Sequence, residues 1–190
     1  MSHPYLNLSE SETYPGKFVV GTTARLLPFG SGLINKSVKI VEIPQTFNGI
    51  EIAEIGYQSF TPLEITSVFI PKTVLHICRE AFYYCTQLTD VRFEEGSKLQ
   101  KLDEYVFYKC TSLKKIDFPA SVTTILTYSG GLFFYNVSLD CFSYSGTTDF
   151  STLRNFFYSV SNVYVTTSYP SSTFAGIEVT KGTQTSDVGK

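Results

Sequence analysis

A single hydrophobic pattern recurs six times along the chain: an apolar residue, two variable residues, a second apolar residue, one variable residue and a third apolar residue. It is met at Val38-Val41-Ile43, Ile65-Val68-Ile70, Leu88-Val91-Phe93, Leu113-Ile116-Phe118, Leu139-Phe142-Tyr144 and Val160-Val163-Val165, with starts 27, 23, 25, 26 and 21 residues apart. A unit of about 20–29 residues with this core cannot bury its apolar side alone, so copies must stack and each must cover the next. The alternation predicts a short strand whose fourth and sixth positions face the interior while the third and fifth face solvent. Roughly 15–20 residues separate successive strands. That is enough for the crossover that parallel pairing requires.

The remainder of each unit repeats as well. Proline follows the third apolar position at Pro44, Pro71 and Pro119, where a residue without a backbone donor ends the strand. A second apolar pair comes next: Ile52-x-x-Ile55, Val74-x-x-Ile77, Leu99-x-x-Leu102 and Val122-x-x-Ile125. An aromatic residue then closes the turn at Phe60, Phe82, Phe107 and Phe134, with Phe156 or Phe157 in the last copy. Cys85 and Cys110 each stand three residues past such a Phe. The unit is therefore a strand, a corner, a short second strand or extended arm, and a turn held by a phenylalanine plug.

These residues resemble the BspA-like class of leucine-rich repeats. The I-P-x-x-V-x-x-I core is present from Ile70 to Ile77 and the A-F-x-x-C turn from Ala81 to Cys85. The Asn of the commoner leucine-rich consensus is absent. Ile43 to Gly49 is similar to the family's opening repeat, while Ser145 to Phe150 and Val163 to Thr173 are similar to its terminal unit. The resemblance spans about residues 38–179. It implies a mainly β solenoid of five to six coils with short helical turns and a parallel sheet on one face. It also implies a non-enzymatic, protein-binding role, of the kind known for surface antigens and adhesins.

The chain has 190 residues with a net charge of −2, and 43% of them are apolar. That suits one domain with a continuous core. There is no Trp and one Met, so the 16 Phe and 13 Tyr supply the core's bulk. The charge balance argues against nucleic-acid binding, which calls for a basic stripe. Lys98, Lys101, Lys109, Lys114 and Lys115 are offset by Asp90, Glu94, Glu95, Asp103 and Glu104. No apolar run approaches the roughly 20 residues of a membrane span, and Met1 to Tyr14 has no signal-peptide character. A cytoplasmic location is expected on those grounds, and a cell-surface one from the resemblance.

Residues 1–13 read as a flexible leader. Residues 14–37 read as a capping hairpin with strands at Lys17–Val20 and Ala24–Leu27. The solenoid is expected at 38–165, and a C-terminal cap with a polar tail at 166–190. Cys85 and Cys110 occupy equivalent places in adjacent coils, as a disulfide in an oxidising compartment or as two stacked buried thiols. No C-x-x-C pair exists and His3 and His76 stand apart from any ligand spacing, so neither a metal site nor a cofactor is expected. His76 lies at a variable position of a repeat arm and is expected on the surface. Catalytic motifs are absent from the sequence: there is no nucleophile elbow and no phosphate loop.

The candidate site is the outward face of the main sheet. Pattern positions three and five form two columns, Ile40, Ser67, Asp90, Lys115, Cys141, Asn162 and Glu42, Phe69, Arg92, Asp117, Ser143, Tyr164. Repeat proteins bind partners on such extended surfaces. Phe69, Arg92, Lys115, Asp117 and Tyr164 are the candidate contacts, aromatics and Arg being the types enriched where binding energy concentrates. The plainer reading is a solvated face with cross-strand pairs such as Arg92 with Asp117. The expected partner is a protein, docked on this face. The alternative is an intracellular structural component of a larger assembly.

Overall fold

A computed structural model of the chain describes residues 3–22, 30–127, 131–133, 135 and 139–182. Among these residues there are strands and no helix: β1 (Leu8–Glu10), β2 (Phe18–Val20), β3 (Ile40–Glu42), β4 (Thr46–Phe47), β5 (Ile50–Ile55), β6 (Ser67–Ile70), β7 (His76–Ile77) and β8 (Asp90–Phe93) in the first half. The second half holds β9 (Lys101–Leu102), β10 (Lys115–Phe118), β11 (Thr124–Ile125), β12 (Cys141–Tyr144), β13 (Asn162–Val165), β14 (Thr173–Phe174), β15 (Ile177–Glu178) and β16 (Thr180–Lys181). Where short helical turns were expected, the corners are tight hydrogen-bonded turns.

The repeated apolar triplets form the main sheet. β3, β6 and β8 pair in parallel with Val41, Val68 and Val91 in register. β10, β12, β13 and β16 form a second parallel block in which Ile116, Phe142 and Val163 are in register. All six of these residues are buried. Among the described residues no ladder joins β8 to β10. At that opening the Phe93 ring meets Phe118 edge-on, with centroids 6.1 Å apart.

The second apolar pairs build another sheet. β5, β7, β9 and β11 pair in parallel with Ile55, Ile77, Leu102 and Ile125 as its inner rungs. The Phe turns form the third side of the coil. Phe60, Phe82, Phe107 and Phe133 stack face to face at 5.1, 5.4 and 5.4 Å between ring centroids. These distances exceed the strand spacing of about 4.8 Å, so the rings are offset, the arrangement their quadrupoles favour. The turns are also tied coil to coil through the backbone: Phe60 N donates to Ala81 O, Phe82 N to Val106 O and Phe107 N to Leu132 O. Phe134, expected as the fourth plug, lies outside the described residues, and Phe133 continues the stack. In the last coil Phe157 lies nearly parallel to Phe133 at 6.0 Å while Phe156 packs edge-on and fully buried.

Each turn bends through left-handed residues that are not glycine. Glu80 and Tyr84 flank Phe82 with φ of 59° and 60°, and Tyr105 and Lys109 flank Phe107 with 59° and 56°. Cys85 and Cys110 complete these turns as free, buried thiols. Their Sγ atoms donate to the Phe60 and Phe82 carbonyls, 3.1 Å in each case. Burial pushes the Cys85 thiol up to about 12.

The first coil is covered by the N-terminal segment. β2 pairs in parallel with β5 and antiparallel with β1, inside the stretch expected as a leader. The strand expected at Ala24–Leu27 lies outside the described residues. Gly56 N and Tyr57 N donate to Val20 O and Thr22 O. A Cβ on Gly56 would stand 2.2 Å from Thr22 O, so only glycine fits beneath the cap. At the other end the β14–β15 hairpin buries Phe174.

Emptying one rung of the phenylalanine stack tests this architecture. Phe82→Ala is expected to cost about 3–5 kcal/mol, read by denaturant unfolding. A loss under about 1 kcal/mol would show that Phe82 does not fill the core.

Candidate functional site

Alternation along each main-sheet strand holds one set of side chains in the core and turns the other outward. In β3 the inner Val41 is flanked by exposed Ile40 and Glu42, and in β10 the inner Ile116 by exposed Lys115 and Asp117. Ile40 is 63% exposed. It lines a shallow hollow with Glu42, Ser67, Phe69 and Arg92. Phe69 also borders a second hollow, walled by Tyr5, Pro44, Pro71 and Glu94. The N-terminal segment reaches this face, where the Tyr5 hydroxyl donates to Glu42 O at 2.5 Å.

The structure divides the five candidate contacts into two groups. Phe69 and Arg92 are register partners on β6 and β8. Asp117 and Tyr164 flank Ser143 across β10, β12 and β13, and Lys115 is on the same strand as Asp117. The expected Arg92–Asp117 pair is not formed. Arg92 Nε is instead 2.7 Å from Asp90 Oδ2, and Lys115 Nζ is 3.3 Å from Asp117 Oδ2. The reason is the missing ladder between β8 and β10, which leaves Arg92 and Asp117 without a shared register. Ser143, although on the outward face, is buried, and its hydroxyl donates to Asp117 Oδ1.

A second polar grouping lies on the outer side of the β5–β7–β9 sheet. Glu54, His76 and Lys101 are register partners on adjacent strands. Cys78 lies two residues past His76 and therefore on its side of the strand. His76 is buried, contrary to the surface position expected for it, because the chain at Ser11 to Tyr14 folds over this part of the sheet. Nδ1 of the imidazole is 3.1 Å from Glu54 Oε1, and Nε2 is 3.0 Å from Asp103 Oδ2. The second contact is an ion-pair distance without hydrogen-bond alignment. Ser11 donates to the other oxygen of Glu54, and Lys101 Nζ is 3.1 Å from Asp103 Oδ1. Burial opposes charge on the ring, yet Asp103, Cys78 and Glu54 outweigh it and push His76 up to about 11. Glu54 and Asp103 are held below the usual carboxylate range by the same contacts, against the opposing effect of burial.

A third feature is aromatic. Along the turns Tyr83 stacks on Tyr108 at 4.7 Å and Tyr135 on Tyr158 at 5.3 Å. The Lys109 ammonium lies over the Tyr84 ring, 4.6 Å from its centroid.

The comparisons with known proteins place this geometry. The family model of the BspA type leucine rich repeat region matches in six copies over residues 34–164. The chain belongs to that family. A leucine-rich repeat protein from Bacteroides capillosus is 24% identical, with 87% of this chain and 96% of that one covered and a TM-score of 0.54. The T. pallidum leucine-rich repeat protein is 19% identical over 87% and 70%, with a TM-score of 0.60. A leucine-rich cell surface protein from Faecalibacterium prausnitzii is 21% identical over 87% of this chain and 44% of its own length, with a TM-score of 0.57. No curated protein matches the chain. These likenesses show that the BspA-type coils stack as they do in solved bacterial proteins. Among the described residues no helix is long and apolar enough to cross a membrane.

The buried ion pair yields a stability prediction. His76→Ala leaves Glu54 charged, buried and short of its counter-charge, a change expected to cost about 3–5 kcal/mol. Adding Glu54→Gln to that variant is expected to recover part of the loss. A double-mutant cycle of denaturant melts measures both. Strict additivity of the two changes would show that they do not interact.

Proposed function

We propose that this BspA-type solenoid is a non-enzymatic protein-interaction module that docks a protein partner on the outward face of its main sheet, as a surface antigen or adhesin does. The observation that carries the reading is the grouping of exposed Ile40 and Arg92 with half-buried Phe69 around one shallow hollow on adjacent parallel strands, Phe69 also bordering a second hollow. An aliphatic, an aromatic and a guanidinium side by side are what a desolvated anchor needs. Lys115, Asp117 and Tyr164 extend the same face at its C-terminal end and supply a charged, hydrogen-bonding rim. The cell-surface character of the Faecalibacterium prausnitzii protein supports the reading by fold alone.

A photo-crosslinking residue placed at Phe69 tests the site, with the same residue at exposed Thr123, just before β11 of the second sheet, as control. A protein adduct is expected from position 69 and none from 123. Adducts from 123 alone would move the interface off this face. Phe69→Ala combined with Arg92→Ala is expected to leave the melting temperature nearly unchanged, because both side chains stand outside the core. Capture of the crosslinked partner is expected to fall roughly tenfold or more, as two lost anchors imply. Unaltered capture would overturn the assignment. The alternative role, a structural component of an intracellular assembly, predicts labelling by a membrane-impermeant reagent only after lysis of the cells that make the protein. An adhesin is labelled on intact cells.

A further inference from the structure

The buried group on the second sheet has the donors and the geometry of a metal centre. Glu54 Oε1, His76 Nδ1 and Cys78 Sγ converge from two adjacent strands. Their separations are 3.1 Å between Oε1 and Nδ1, 3.8 Å between Nδ1 and Sγ, and 4.0 Å between Sγ and Oε1. A zinc ion with Zn–N and Zn–O near 2.1 Å and Zn–S near 2.3 Å sets tetrahedral edges of roughly 3.4–3.6 Å. The three observed edges bracket that range. The point in the plane of the three atoms that is equidistant from them lies about 2.1 Å from each, so the two Sγ edges must shorten by a few tenths of an ångström for an ion to sit above that plane in tetrahedral geometry. No side chain has to move far to ligate.

We propose that Glu54, His76 and Cys78 bind a single zinc-class divalent cation, with one coordination position left to water. The mixed N, O and S donor set selects zinc over calcium or magnesium, which take oxygen ligands. Two of the three ligands have polar groups beside them of the kind that orient metal ligands. Ser11 holds the second oxygen of Glu54, and the free ring nitrogen of His76 faces Asp103, itself beside Lys101. Charge also balances. Binding expels the Nδ1 proton of the imidazolium and the Sγ proton of the thiol, and both leave to solvent. The dication is then neutralised by the Glu54 carboxylate and the Cys78 thiolate, while Asp103 and Lys101 remain paired. No oxidation state changes. The ion ties the first repeat coil to the second beneath the N-terminal segment that covers them, so its effect is to lock the capped end of the stack.

The test uses the full chain freed of metal by a chelator and titrated with zinc and, separately, with cobalt. Calorimetry is expected to give one ion per chain and a raised melting temperature. Cobalt is expected to show the intense near-ultraviolet absorption of a thiolate ligand. Cys78→Ala is expected to abolish that absorption and to weaken zinc binding beyond the roughly 10–100-fold that loss of an outer contact costs. Ser11→Ala is expected to weaken binding within that range. Should Cys78→Ala fail to fold, mass spectrometry of the unmodified protein decides. Zinc must then slow alkylation of Cys78 and leave Cys141, on the other sheet, at its original rate. Absence of stoichiometric uptake, thiolate absorption that survives in Cys78→Ala, or alkylation of Cys78 indifferent to zinc would each overturn the proposal.

Discussion

Each coil of this protein is an open ring of apolar side chains, and it becomes stable only when another coil closes it. The phenylalanine stack makes that dependence concrete. Phe82 has Phe60 on one face and Phe107 on the other, so no single coil contains its own core. Removing one ring therefore leaves two neighbours without a packing surface, besides the volume it vacates. The backbone follows the same rule. Phe82 N finds its acceptor on Val106 of the next coil rather than within its own turn. This requirement explains the residues held at positive φ. Glu80, Tyr84, Tyr105 and Lys109 adopt a conformation that costs on the order of 1–3 kcal/mol each for side chains other than glycine. They keep it because the turn must present its amides to the next turn at the strand spacing.

Stacking in one direction leaves two open ends, and the two ends are closed differently. At the C-terminal end an apolar hairpin inserts Phe174 among Phe142, Tyr144 and Phe156. At the N-terminal end β1 and β2 extend the second sheet, and the chain between them crosses its outer side. The N-terminal closure converts a solvent-facing column into an interior one. Among the described residues the outer face of the main sheet receives no comparable cover along most of its length. Ile40 on that face is 63% exposed.

Much of this was legible in the sequence, because the stacking requirement writes itself into the positions of apolar residues. The six triplets located the main-sheet strands, and the prolines after Ile43, Ile70 and Phe118 located their ends. What stayed hidden depends on chain crossings rather than on periodicity. The pattern pointed to Phe134 as the next plug after Phe107, whereas Phe133 is the ring that stacks there. The break between β8 and β10 has no signature in the triplets, which are as regular there as elsewhere, so the expected Arg92–Asp117 pair had no reason to be doubted. His76 was misplaced for a similar reason. Its position in the repeat is outward, and the passage of the chain at Ser11 to Tyr14 over the second sheet buries it. A signal did exist. Aligning the second apolar pairs puts Glu54, His76 and Lys101 at one repeat position and Cys78 and Asp103 at the next. Opposite charges on successive rungs are what a covered column needs.

The burial of that column decides what it can be. On an open strand Glu54 and His76 would make a surface pair worth about 0–1 kcal/mol. Under the N-terminal segment the same pair loses its water, and replacing it with apolar residues of similar volume would be neutral or favourable. Stacking therefore does not explain why ionisable residues stand there, since the neighbouring rungs Ile55, Ile77 and Leu102 already supply the apolar contacts the coils require. A carboxylate, an imidazole and a thiol on one side of two adjacent strands, the carboxylate backed by Ser11 and the imidazole facing Asp103, are instead the arrangement in which burial is useful. A crowded, buried pocket strengthens the hold of fixed ligands on a cation.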